Sequence, residues 1–206
     1  MSTDPVILIA DDHSMIRKGL KLYLQLNFGC KDIYEVMTCN DLMQELKRKN
    51  YTHLILDIIL ADGNSLEVIP EIKQLYPHLN IMGFSMQPTE VYGEALKEYN
   101  IPHYVSKSES ETDIINHLGI FLQNEHPDTL VKTASNKPNN PFAALAPREL
   151  EILHHLLKGN GTKEIAISLD LKMNTVSTIK SRIFEKTHVQ NLKELIEMAT
   201  LYNVNF

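Results

Sequence analysis

The stretch LILDIIL, residues 54–60, sets a single carboxylate, Asp57, among six aliphatic side chains. A short, nearly continuous apolar run reads as a strand buried on both faces. A carboxylate in such a run costs several kcal/mol unless it stands at a strand end or meets a cation. Four further runs fit the same reading: VILIA at 6–10, DIYEV at 32–36, NIMGFS at 80–85 and PHYVS at 102–106. With HLILD at 53–57 they make five predicted strands, separated by helical patterns. Ile16, Leu20, Tyr23 and Leu24 share a helical face in the first helix, and Ile114, Leu118, Phe121 and Leu122 share one in the last. Two-sided apolar strands alternating with helices predict a parallel sheet covered on both faces. Five such units in about 120 residues fit a flavodoxin-like, doubly wound α/β domain.

The 206 residues suit one large domain or two small ones. No apolar run approaches the roughly 20 residues of a membrane-spanning helix, and MSTDP at the start carries no signal-peptide core. Cys30 and Cys39 lie far from CxxC spacing and read as reduced thiols of a cytoplasmic protein. The net charge of −6 is unevenly spread: residues 1–123 carry −7, residues 124–141 balance, and residues 142–206 carry +1. An acidic first part and a slightly basic last third suggest two modules with different partners. The segment EHPDTLVKTASNKPNNPF, 125–142, holds three prolines and three asparagines and reads as a semi-extended linker. The expected domains are therefore 1–124, linker 125–142, and 143–206.

In a parallel sheet all strand carboxyl ends point the same way, and ligands bind beyond them at the switch in strand order. The first strand runs into Asp11 and Asp12, the third ends at Asp57, the fourth at Ser85, and the fifth leads to Lys107. Three carboxylates gathered there repel unless a cation joins them, and Mg²⁺ suits carboxylate, carbonyl and water ligands. Lys107 is placed to pair with Asp57 or with a phosphoryl oxygen.

These residues resemble the receiver domain of two-component response regulators over 5–123. The resemblance implies that Asp57 accepts a phosphoryl group from a sensor histidine kinase or a small phosphodonor. It also implies that Asp12, Asp57 and the backbone carbonyl of Ile59 hold Mg²⁺, with Asp11 helping through water. Ser85 and Lys107 would contact the phosphoryl oxygens, and Tyr104, three residues before Lys107, would move with Ser85 as a switch. Ala61 and Ser65 depart from the Pro and Gly usual in that family four and eight residues after the acceptor, and His103 replaces a common Gly. His13 reads as the start of the first helix.

The last third reads as four helices. Leu150, Leu153, Leu156 and Leu157 follow Pro147, and GNG at 159–161 ends that helix. Thr162 is placed to cap a short second helix with Ile165, Ala166 and Leu169 inward. Val176, Ile179 and Ile183 mark the inner face of a third helix, and Leu192, Leu195, Ile196 and Ala199 a fourth. Short helix, tight turn and longer helix form the helix-turn-helix pattern. With PREL, KEIA, NTV and Lys186–Val189, residues 143–203 resemble the LuxR-type domain of NarL/FixJ regulators. That resemblance implies a DNA-binding face of Lys163, Asn174, Thr175, Ser177, Thr178, Lys180, Ser181, Arg182 and Lys186. Ser177, Thr178 and Ser181 face bases, while Lys163, Lys180 and Arg182 favour phosphates. Departures are Ala146 before Pro147, which removes a helix cap, with Ser177, Ile179 and Thr187.

Together these expectations describe a cytoplasmic response regulator with an α/β receiver and a four-helix helix-turn-helix domain. It regulates transcription and is not an enzyme beyond its own phosphorylation and dephosphorylation. Its partners are promoter DNA, a kinase, a second copy on activation and RNA polymerase, with no membrane. The alternative is a regulator whose receiver acts by protein contact without phosphorylation. A dehalogenase-like phosphatase would need an acid two residues after Asp57, where Ile59 stands.

Overall fold

The computed structural model describes residues 4–123, 140–202 and 204. They form two compact units, one of residues up to 86 with 99–123 and one of residues 87–98 with 140–204. The linker expected over 125–142 lies, apart from its last three residues, outside the described residues.

In the first unit five strands pair in parallel: β1 (Val6–Ala10), β2 (Asp32–Val36), β3 (His53–Leu56), β6 (Asn80–Ser85) and β7 (His103–Ser106). Their order across the sheet is β2-β1-β3-β6-β7, so the order reverses between β1 and β3. Between β3 and β6, Ile59–Leu60 (β4) and Gly63–Asn64 (β5) form a small antiparallel hairpin. The helices are α1 (Ser14–Phe28), α2 (Cys39–Arg48), α3 (Ile69–Leu75) and α5 (Glu111–Leu122).

Two predicted strands are one residue shorter than expected. Pro102 has no N–H to give to the ladder, so β7 starts at His103. Asp57 stands just beyond β3, its N–H donating to the Ala10 carbonyl at 2.9 Å as regular pairing ends.

Alternation divides the strand residues between two layers. Ile7, Ile9, Ile55, Met82, Phe84 and Val105 pack with Leu20 and Leu24 of α1 and Leu118 and Phe121 of α5. Leu8, Ala10, Leu54, Leu56 and Ile81 are buried on the opposite face, as are Leu42 and Leu46 of α2 and Ile69 and Ile72 of α3. Local chemistry sets the helix ends. Gly29 closes α1 in the left-handed conformation at φ +66°, and the Thr38 and Ser110 side chains cap α2 and α5.

The second unit contains α4 (Thr89–Glu98), α6 (Pro147–Leu157), α7 (Thr162–Ser168), α8 (Met173–Thr187) and α9 (Leu192–Leu201). Phe142, Leu150, Leu153, Ile165, Val176, Ile183 and Leu195 are fully buried in it. Ala146 offers α6 no side-chain cap. Glu149 instead reaches back to accept from the Ala146 N–H at 2.9 Å, and Lys186 Nζ lies 2.7 Å from the same carboxylate. Thr162 proves to be the first helical residue of α7; Gly161 holds the cap position, and Glu164 accepts from its N–H at 2.7 Å. Thr187, in place of the usual leucine, is buried with its hydroxyl donating to the Ile183 carbonyl at 2.7 Å.

His154 on α6 is 2 % exposed, and neither ring nitrogen has a hydrogen-bond partner among the described residues. Burial first, then Lys158 and His155, push its pKa down to about 4. The folded state holds it neutral while the unfolded chain protonates near its ordinary value. Stability is therefore expected to fall as pH drops from about 6.5 towards 4, by up to about 3 kcal/mol. Thermal melts between pH 7.5 and 4.5 should show a steeper loss for the wild type than for His154→Leu.

Candidate functional site

The strand order brings the carboxyl ends of β1 and β3 side by side, and with them Asp11, Asp12 and Asp57. Asp11 and Asp57 are buried, while Asp12 is half-buried. Lys107, just past β7, buries its ammonium between two of them, 2.5 Å from Asp57 Oδ2 and 2.6 Å from Asp11 Oδ2. The Lys107 N–H donates to the Ser85 carbonyl at 2.9 Å, extending the β6–β7 ladder by one bond and fixing where its side chain departs. Ser85, itself buried, donates its hydroxyl to Asp57 Oδ1 at 2.6 Å.

Both oxygens of Asp57 thus have partners, yet burial dominates its ionisation. Desolvation raises its pKa; Lys107 and Ser85 act against that, and the Asp11 charge adds to it. One ammonium does not fully compensate two buried carboxylates. Oxygens from Asp11, Asp12 and Asp57 and a nitrogen of His13 lie within 4.8 Å of one another. Hard oxygen donors of this charge fit Mg²⁺. His13 is the cap residue of α1, as expected, and its exposed ring lies 2.6 Å from Asp12 Oδ1. Its N–H donates to Asp11 Oδ1 at 2.8 Å, so the first acid also starts the helix.

Ile59 pairs with Asn64 in the hairpin that follows Asp57. Tyr104 is half-buried and lies opposite Gly83 in the register. Because Ser85 is two residues beyond Gly83, Tyr104 and Ser85 share a face of the sheet.

Arg17 was not singled out from the sequence. Its guanidinium is buried, donating to the Asp11 carbonyl at 2.7 Å and to Glu35 Oε2 at 3.1 Å. The signal was available: Arg17, Leu20 and Leu24 form the buried stripe of α1, and a cation on such a stripe needs an acceptor.

In the second unit α7 and α8 form the helix-turn-helix, with Asp170 at φ +49° in the turn. Lys163, Asn174, Thr175, Ser177, Thr178, Ser181, Arg182 and Lys186 are exposed, while Lys180 is half-buried. The Lys180 ammonium sits 5.5 Å from the Phe184 ring centroid. Thr178 and Ser181 donate to the Asn174 and Ser177 carbonyls, at 2.8 and 3.1 Å, keeping oxygen lone pairs for other partners. Ile179 is half-buried rather than core. Lys186 is engaged with Glu149 and, at 3.1 Å, with the Ala144 carbonyl, so a phosphate there competes with contacts that hold α6 in place.

The Asp57 shift carries a sign for stability. A carboxyl whose folded pKa lies above its unfolded value costs stability when ionised, and the cost disappears as pH falls through the folded pKa. In metal-free buffer at pH 7.5, Asp57→Asn is expected to raise the melting temperature of the first unit. Added Mg²⁺ should narrow the difference by binding the wild type. Calorimetry with and without Mg²⁺ checks both.

Two family models match the chain: "Response regulator receiver domain" over residues 7–119 and "Bacterial regulatory proteins, luxR family" over residues 143–199. The oxygen regulatory protein NreC of Staphylococcus carnosus is 27% identical over 207 residues, spanning 94% of this chain and 95% of that protein. The fimbriae Z protein of Escherichia coli is 27% identical over 204 residues, spanning 96% and 97%. Among solved structures, RcsB from Salmonella enterica serovar Typhimurium, bound to promoter rprA with phosphomimetic BeF3-, superposes with a TM-score of 0.83. It is 24% identical, and the match covers 96% of this chain and 99% of that one, a likeness of fold. The chain belongs to the two-component response regulators of the NarL/FixJ family, a receiver domain followed by a luxR-type helix-turn-helix domain.

Proposed function

We propose that this regulator takes a phosphoryl group on Asp57 and thereby controls promoter binding by its last 64 residues, 143–206. The supporting observation is the convergence of Lys107, Ser85, Asp11 and Asp57 in one buried cluster. Asp12, Asp57 and the Ile59 carbonyl would hold Mg²⁺, with Asp11 acting through water. When bound, the cation neutralises charge on the incoming phosphoryl group.

The chain's own residues do the rest. The free Asp57 carboxylate is already bonded to Lys107 and Ser85 through separate oxygens. When one oxygen attacks phosphorus and becomes the bridging oxygen of an acyl phosphate, the donor's P–N or P–O bond breaks and its imidazole or carboxylate leaves. That oxygen's partner is then released to the new phosphoryl oxygens, which carry more charge. Ser85 moving inward would leave space on the face it shares with Tyr104, whose ring then repacks. The phosphoryl donor is a sensor histidine kinase or a small phosphodonor. The chain catalyses only its own phosphorylation and hydrolysis, and it works in the cytoplasm. The receiver spans 1–124, with a linker at 125–142.

For DNA, Ser177, Thr178 and Ser181 meet bases through hydroxyl lone pairs. Lys163, Lys180 and Arg182 meet phosphates, while Asn174 and Thr175 enter first at the start of α8. Hydroxyl contacts discriminate bases weakly, so a second copy supplies much of the specificity, with RNA polymerase a further partner. RcsB is described as two dimers on two parallel DNAs, which supports a dimeric mode by likeness.

Intact mass after incubation with acetyl phosphate tests the first step. The wild type should gain one phosphoryl group only with Mg²⁺, and Asp57→Asn should gain none. Gain by the variant, or none by the wild type, would overturn the assignment. On DNA, Lys180→Ala should weaken binding to unrelated sequences alike and reduce the salt slope by about one. An unchanged slope in a salt titration would remove Lys180 from the phosphate contacts.

A further inference from the structure

The loop after Asp57 carries two residues unlike the pattern it resembles, and each makes a hydrogen bond that the usual residue has no group to make. Ala61 stands where proline is usual, and its N–H donates to the Met37 carbonyl at 3.3 Å; a proline has no N–H. Ser65 stands where glycine is usual. Its fully buried hydroxyl donates to the main-chain carbonyl of Asp57 at 2.8 Å. The Ser65 N–H donates to the Ile58 carbonyl, also at 2.8 Å. One residue therefore ties down two successive carbonyls, those of Asp57 and Ile58.

The loop between these ties is short and closed. Ile59 and Leu60 pair with Asn64 and Gly63. Asn64 turns its own side chain back to accept from the Leu66 N–H at 2.9 Å. On the outer side the Asp62 carboxylate accepts from the N–H groups of Cys39 and Asn40, at 2.6 and 3.0 Å, locking the loop to the start of α2. The Asp57 N–H is held by the Ala10 carbonyl. With its N–H and C=O both fixed, the backbone of Asp57 cannot rock, and side-chain torsions are set relative to that backbone.

We propose that Ser65 is a positioning residue for the phospho-acceptor. Its hydroxyl holds the Asp57 peptide plane and, through the hairpin it closes, the Ile59 carbonyl. Carboxylate and carbonyl are then preorganised as one pair of oxygens for the cation and the incoming phosphoryl group. The inference rests on the reading of Asp57 as the acceptor.

The test uses the full chain as wild type, Ser65→Ala, Ser65→Gly and Asp57→Asn. Mg²⁺ affinity is measured by isothermal titration calorimetry, the phosphorylation rate by intact mass with acetyl phosphate at saturating Mg²⁺, and folding by thermal melting. Ser65→Ala should raise the Mg²⁺ Kd and lower the rate at saturation, each by roughly three- to tenfold, as expected for one lost hydrogen bond. Ser65→Gly, the residue the loop pattern usually carries, is the second variant should Ser65→Ala fail to fold. A folded variant that keeps the wild-type Mg²⁺ Kd overturns the proposal, whatever its melting temperature. A wild type that takes no phosphoryl group, or an Asp57→Asn that takes one, instead overturns the acceptor reading.

Discussion

One ammonium shared by two buried carboxylates is the constraint on which the receiver site is built. Lys107 lies within 2.6 Å of both Asp11 and Asp57, and all three side chains are almost out of water. Removing such charges from water is costly, and their attraction offsets that cost only when the geometry is tight. The sheet supplies the geometry. β1 and β3 are direct neighbours, and the β6–β7 ladder continues one bond further to the Lys107 backbone. The cluster remains unbalanced by one negative charge, and that surplus suits the site to a divalent cation.

A second ring of contacts keeps the acids where they are. Arg17 holds the Asp11 carbonyl and is itself held by Glu35, which also accepts from Lys21 at 3.3 Å. On the other side the 58–65 loop is tied to Asp57 and to the start of α2. The ties of Arg17 to the Asp11 carbonyl and of Ser65 to the Asp57 carbonyl are buried with their partners supplied, so shifting an acid would leave a donor or acceptor without one. Burial works against the charge they hold: desolvation raises the Asp57 pKa, with Lys107 and Ser85 acting against it.

The helical unit meets the opposite demand. Its inner face is buried and mostly aliphatic, with Phe142, His154 and Thr187 among the exceptions, while the outer face of α8 is almost wholly polar. Two of the substitutions that set it apart from its pattern are answered inside the unit. Glu149 and Lys186 make up for the missing cap at Ala146, and Thr187 satisfies its hydroxyl within its own helix. The same answer engages Lys186, a residue whose sequence position points to DNA.

The sequence by itself determined the five-strand alternation, the acids and lysine at strand ends, and the helix-turn-helix pattern. Each is a local signal: apolar period, residue type and spacing survive without knowledge of what lies across the fold. LILDIIL already said that Asp57 had to be at a rim or beside a cation, and it is both. What only the tertiary structure decided is which groups meet. Lys107 pairs with Asp11 as well as Asp57, Arg17 turns inward to a carbonyl, Ser65 closes on the backbone of Asp57, and Lys186 is drawn into a cap. Those partners lie 6, 8, 37, 50 and 96 residues apart in the chain. Patterning along the chain carries no register between such segments; the strand order and loop closure supply it.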